Sequence, residues 1–117
     1  MNKKKACIVL LGATSAEGIR TARALAQQQQ KVILVDEDRE SLTQILEDLR
    51  PVSLSEQFSA IHIEPHNSEH LNWAISILEH CHGEPTEIFN CTNDSDSRFA
   101  ALEELLAETF GKRERAN

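Results

Sequence analysis

The stretch from Ala6 to Asp36, ACIVLLGATSAEGIRTARALAQQQQKVILVD, constrains the chain most. An apolar run, a glycine-bearing turn, a helical pattern and a second apolar run follow one another without interruption. Ala6–Leu11 is too short and too uniformly apolar for a half-exposed strand, so it reads as a strand buried on both faces. Gly12 ends it. From Ala16 onward, Ile19, Ala22, Leu25 and Ala26 recur at helical spacing, and Lys31–Asp36 restores the strand pattern. Together they form a β-α-β unit.

The rest of the chain repeats that alternation. Glu40–Arg50 puts Leu42, Ile45, Leu46 and Leu49 on one helical face, with Ser41 as the expected start and Pro51 as the stop. Phe58–Glu64 reads as a third strand ended by Pro65. A third helix runs from Ser68, its expected N-cap, through Leu71, Ala74, Ile75, Leu78 and Cys81 to a left-handed Gly83. Glu87–Thr92 is the fourth strand and Asn93–Asp96 a turn. Phe99, Leu102, Leu105, Leu106 and Phe110 mark a fourth helix before a frayed, charged end over 111–117. Strands alternating with helices imply an α/β fold: a three-layer, doubly wound, Rossmann-like parallel sheet of order 3-2-1-4, with two helices on each face. All 117 residues make one minimal domain with flexible ends at 1–5 and 111–117.

Charge excludes some functions. With a net charge of -7 and scattered basic residues, no stripe exists to track a nucleic-acid backbone. Lys3–Lys5 followed by Ala6–Leu11 imitates the start of a signal peptide, but the apolar run stops at Gly12 and no cleavage site follows. No stretch reaches membrane-spanning length. Cys7, Cys81 and Cys91 are widely separated and contain no Cys-x-x-Cys pair, which points to buried thiols in a reducing compartment, the cytoplasm.

The Gly12–Gly18 turn has what a pyrophosphate needs: backbone donors, an unobstructed approach and the positive end of a helix dipole. Gly12 permits the tight exit from the strand, Thr14 and Ser15 add hydroxyls, and Gly18 lets the helix pack closely. Asp36 ends the next strand 18 residues after Gly18, near the spacing at which an acid meets the adenosine ribose. The bland alternative is that the glycines serve packing alone and Asp36 caps a helix.

These residues resemble the Gly-x-x-x-Gly-x-Gly turn of the short-chain dehydrogenase/reductase family, with Ala16 at the middle glycine. The resemblance covers only the family's N-terminal, cofactor-binding half. It implies a Rossmann fold that holds a dinucleotide through Gly12, Thr14, Ser15, Ala16, Glu17, Gly18 and Ile19. Asp36 would meet the ribose, Glu64 would lie near adenine, and Asn90, Cys91 and Thr92 stand where an Asn-Asn-Ala-Gly segment follows the fourth strand. Glu17 departs from the family by placing a carboxylate where an apolar residue is usual. The family's proton donor, a Tyr four residues before a Lys, has no counterpart, because the sequence contains no tyrosine. Family-type hydride transfer is therefore not completed by this chain alone.

Asp36, Glu37 and Asp38 beside a ribose disfavour a 2′-phosphate, so NAD is expected over NADP. His66 and His70 lie at one end of the third helix and His80, Cys81 and His82 at the other. At about 1.5 Å per residue the groups are roughly 15–20 Å apart and cannot share an ion, so no metal site is expected. Cys91 at a strand end is either a cleft-facing thiol or a small buried hydrophobe. Asp94, Ser95 and Ser97 read as a turn and helix cap.

Three functions follow: a non-catalytic module binding NAD or an adenine nucleotide, in a sensor or regulatory role; an interaction module that kept the fold without the ligand; or an oxidoreductase subunit completed by a partner. A homodimer is expected through the apolar last helix or the outer edge of the fourth strand.

Overall fold

The computed structural model describes residues 7–28, 30–53, 56–82, 85–92 and 98–110, with the backbone alone at 81 and 82. The expectations for the terminal segments, Gly83, the 93–96 turn and the side chains of Asp94, Ser95, Ser97, Cys81 and His82 lie outside the described residues. In chain order the elements are β1 (Cys7–Leu11), α1 (Ala16–Ala26), β2 (Lys31–Asp36), α2 (Arg39–Leu49), β3 (Phe58–His62), α3 (Ser68–Ile77), β4 (Glu87–Asn90) and α4 (Ala100–Phe110). The sheet is parallel with order β3-β2-β1-β4, as the alternating pattern implies.

Both faces of the two central strands are covered. Every residue of β1 is buried. Ile8 and Leu10 pack with Val32 and Leu34 of β2 beneath Ala22 and Leu25 of α1 and Leu42 and Ile45 of α2. Val9 and Leu11 alternate to the other face, with Ile33 and Val35, under Leu71 and Leu78 and under Phe99, Leu102 and Leu106. Each such aliphatic side chain contributes about 1.5–3 kcal/mol by leaving water. This two-sided burial is why both strands read as continuous apolar runs rather than alternating ones.

The helix starts differ from the sequence reading. Asp38, not Ser41, caps α2: its carboxylate accepts from the Ser41 N–H at 3.3 Å and from the Ser41 hydroxyl at 2.9 Å. Asn67, not Ser68, caps α3, accepting from the N–H groups of Glu69 and His70 at 2.9 and 3.2 Å. In each case a short Asx side chain upstream of the serine reaches the open donors of the first turn. Pro51 sits in a 3₁₀ turn over Arg50–Val52, where its missing N–H removes no helical bond. α3 ends in a wider π turn, Leu78–His82.

The strand ends are also tighter than expected. β3 stops at His62, though Ile63 still donates to the Asp36 carbonyl at 3.1 Å. β4 stops at Asn90, whose Oδ1 accepts from the Thr92 N–H and hydroxyl and so turns the chain. Gln57, buried at the entrance to β3, donates through its amide to the carbonyls of Leu25, Ala26 and Gln30, satisfying the C-terminal end of α1.

The apolar stripe of α4 is used within the chain. Phe99, Leu102 and Leu106 are fully buried, and Leu105 and Phe110 pack against the same cluster. β4 stands at the end of the sheet, and its Phe89 is 40% exposed. No described helix is long and apolar enough to cross a membrane.

Candidate functional site

The turn after β1 lies where the strand order reverses between β1 and β4, the crevice in which ligands of open parallel sheets sit. Gly12 and Ala13 both donate to the Val35 carbonyl, at 2.9 and 3.2 Å, which pulls the chain sharply off the strand. Gly12 has φ +73°, and a Cβ there would stand 2.6 Å from the Thr92 methyl. Gly18 is required by proximity instead: a Cβ would stand 2.5 Å from the Ala13 carbonyl oxygen. The first turn of α1 therefore rests directly on the backbone that leaves β1.

Ser15 is the N-cap of α1. Its hydroxyl accepts from the Gly18 N–H at 3.0 Å and shares its own proton between the carbonyls of Gly12 and Cys91, at 2.9 and 3.0 Å. The hydroxyl thus ties the turn to the end of β4 and has carbonyls, not a base, as its acceptors. Among the described residues the N–H groups of Ala16 and Glu17 have no protein partner. They are the open donors at the positive end of α1.

Glu17 does not point into the turn. Its carboxylate pairs with Arg20 at 2.6 Å on the exposed side of the helix. Its charge still reaches Cys91, whose thiol is pushed above its ordinary pKa first by burial and then by Glu17, against a hydrogen bond with Thr21. Cys91 is a buried free thiol packed with the α1–α2 core. Ile19 packs half-buried against the same cluster.

Asp36 is almost completely buried, at 1% exposure. Its Oδ2 accepts from the Thr14 N–H at 2.8 Å and from the Thr14 hydroxyl at 2.7 Å, and its Oδ1 accepts from the Glu37 N–H at 2.7 Å. The nearest cation is Arg98, from the head of α4. Its Nη1 stands 3.9 Å from Asp36 Oδ1 and 2.7 Å from Glu37 Oε2. The acid expected to meet a ribose is thus engaged by Thr14 of the turn after β1 and covered by an arginine from the other side of the crevice.

The remaining expected residues divide. Asn90, Cys91 and Thr92 meet the turn: Cys91 donates to the Leu11 carbonyl at 2.8 Å and accepts from Ser15, and Thr92 packs on Gly12. The Asn90 amide, however, is turned toward Glu103, to which it donates at 3.1 Å. Glu64 lies just past β3, exposed, with its N–H donated to His70 Nδ1 at 3.0 Å. No group of three or more metal-ligating side chains gathers among the described residues.

Sequence reasoning missed Arg98. One signal was present: three successive acids at the end of β2 call for a counter-ion, and in a 3-2-1-4 sheet the connection into α4 begins at the same edge.

No protein-family model matches the sequence, and no curated protein matches it. Solved structures do. L-sorbose reductase from Gluconobacter frateurii, complexed with NADPH and L-sorbose, superposes with a TM-score of 0.75 at 14% identity, over 95% of this chain and 48% of that one. A short-chain dehydrogenase from Bacillus anthracis gives 0.62 at 14% identity, over 71% of this chain and 34% of its own. A short-chain dehydrogenase/reductase (glucose/ribitol dehydrogenase) from Brucella melitensis gives 0.62 at 18% identity, over 71% and 33%. Over the matched part, this chain shares the fold of these solved dehydrogenases. The chain spans about a third to a half of the length of these dehydrogenases.

Proposed function

We propose that this chain binds an NAD-type dinucleotide, or an adenine nucleotide, without itself transferring hydride, in a sensing or regulatory role. The observation that carries the reading is the turn: two glycines hold it against α1 and β4, and the N–H groups of Ala16 and Glu17 are left for an anion. Gly12, Ala16, Glu17 and Gly18 would hold the pyrophosphate through backbone, with Thr14, Ser15 and Ile19 shaping the turn. Asp36 would take the ribose, Glu64 the adenine end, and Asn90, Cys91 and Thr92 the far end of the crevice. A bound nicotinamide supplies hydride chemistry. The chain supplies binding, because a sequence without tyrosine lacks the proton donor of the resembling family.

Asp36 and Glu37 face Arg98, and Asp38 adds a third acid next in sequence, a balance that favours NAD over the phosphorylated NADPH held by the sorbose reductase. The buried free thiols of Cys7 and Cys91 suit the cytoplasm. Calorimetry with NAD and NADH is the direct test: saturable binding is expected, and no heat at millimolar ligand would remove the reading.

A second reading, an interaction module without ligand, is favoured by one observation. Asp36 and the hydroxyls of Thr14 and Ser15 are all satisfied within the chain. Glu17→Ile separates the two: NAD binding created by that change, where the natural protein has none, would favour the interaction module. The third reading, an oxidoreductase completed by a partner, draws on the share of the solved dehydrogenases that this chain spans, and native co-purification would test it. A homodimer would use the β4 edge with Phe89 or the half-buried Leu105 and Phe110 of α4. Light scattering of the Phe89→Lys protein beside the natural one checks it.

A further inference from the structure

We infer that Arg98 decides access to the ribose end of the crevice: it latches onto Glu37 over the buried Asp36, and a nucleotide reaches that acid only when the latch opens. The inference rests on the nucleotide-binding reading above and adds a control to the same site.

Three observations support it. Asp36 has a side chain 2% exposed, so no ligand hydroxyl can reach its carboxylate without something moving. Its inner oxygen, Oδ2, is held by both donors of Thr14. On Oδ1 the groups are the Glu37 N–H and, 3.9 Å away, Arg98 Nη1. The backbone donor is fixed by the end of β2, whereas the guanidinium is the tip of a long, rotatable side chain. Arg98 and Glu37 are partly exposed, 28% and 38%, so their 2.7 Å pair forms the solvent side of the cover.

The pair also spans the crevice, since the two residues are 61 apart in sequence and come from the head of α4 and the end of β2. An ion pair that bridges two elements across a cleft must be broken by a ligand lying in the cleft, and its worth is subtracted from the binding free energy. A half-exposed pair is worth little, so the latch tunes affinity rather than abolishing binding.

Charge complicates a single substitution, because losing Arg98 also removes an attraction for an anionic ligand. The pair of changes Arg98→Met and Glu37→Gln leaves the net charge unaltered and removes both partners of the latch. Calorimetry of the full chain with NAD is expected to show binding about two- to fivefold tighter in this double variant than in the natural protein. Glu37→Gln alone should tighten binding at least as much. In the natural protein, the NMR signal of the Arg98 side-chain Nε–H should shift on saturation with NAD. Equal affinities together with an unmoved Arg98 signal would overturn the latch and leave the binding reading intact. Weaker binding in the double variant, with Glu37→Gln unchanged, would overturn it in favour of Arg98 as a direct ligand contact. Failure of every variant to bind NAD would remove the nucleotide reading and the latch with it. Circular dichroism of each variant, expected to match the natural protein, guards against a folding artefact.

Discussion

The two ends of the crevice are built from different materials. At the α1 end the groups that matter are backbone: Gly12 and Gly18 bring main chain against main chain, and the N–H groups of Ala16 and Glu17 remain open. At the β2 end they are side chains, and those side chains satisfy one another, Thr14 with Asp36 and Glu37 with Arg98. Backbone donors at a helix start cannot be withdrawn, so the first end keeps its open N–H groups in one arrangement. Side chains can exchange partners, so at the second end the proposed nucleotide would have to compete.

The largest effect is expected at the rigid end. A Cβ on Gly18 would overlap Ala13 backbone atoms at 2.5–2.7 Å, and neither the strand exit nor the helix can yield locally. Gly18→Val should cost about 3 kcal/mol of stability by denaturant unfolding. Gly12→Ala should cost less, about 2 kcal/mol, because its strain is a φ of +73° and its closest contact, at 2.6 Å, is a side-chain methyl of Thr92 rather than backbone. If Gly18→Val behaved like a surface change, the close backbone approach, and with it the contrast between the two ends, would be lost.

At the side-chain end the effects are smaller and separable. Asp36→Ala strands the N–H groups of Thr14 and Glu37 and should destabilise by about 2–3 kcal/mol. Thr14→Val removes only the 2.7 Å hydroxyl bond while keeping the backbone one, and should cost about 1 kcal/mol. Binding then sharpens the comparison. If a ribose takes Asp36 from the Thr14 hydroxyl, Thr14→Val will weaken stability without weakening NAD affinity. Parallel losses in both measurements would show that the Thr14–Asp36 bond persists in the complex.

The same division explains what could be read from the sequence. Burial on both faces leaves a continuous apolar run, so β1 and β2 and the sheet order were legible, as was the need for glycine at positions 12 and 18. Side-chain pairing leaves no such trace. Thr14 and Asp36 each look like ligand groups, and only the structure shows that they bind each other across 22 residues. Ser41 and Ser68 look like caps, yet Asp38 and Asn67 lie upstream with equally short acceptors, and local geometry decides between neighbours of similar chemistry. Periodicity shows that the α4 face is apolar without showing what it covers: Phe99, Leu102 and Leu106 are buried on their own sheet, while Leu105 and Phe110 are half-buried.

Asp38 provides the smallest effect and the most local test of the side-chain end. Its carboxyl lies below the ordinary 3.8, first through the hydrogen bond from the Ser41 hydroxyl and then through the Ser41 N–H. A carboxylate whose folded pKa is depressed adds stability that is fully present above its unfolded value. That contribution is lost as pH falls through the lower folded value. The α2 cap should therefore hold at neutral pH and loosen only below 3.8. Carbon NMR titration of the Asp38 carboxyl should give a midpoint under 3.8 in the natural protein and a higher one in Ser41→Ala, with the Ser41 amide losing its protection relative to the intrinsic exchange rate below that pH. A natural midpoint at or above 3.8 would mean that Asp38 is not held by Ser41 in solution. The acidic entry to α2 would then be a solvated surface, and the ordered side-chain end of the crevice would stop at Glu37.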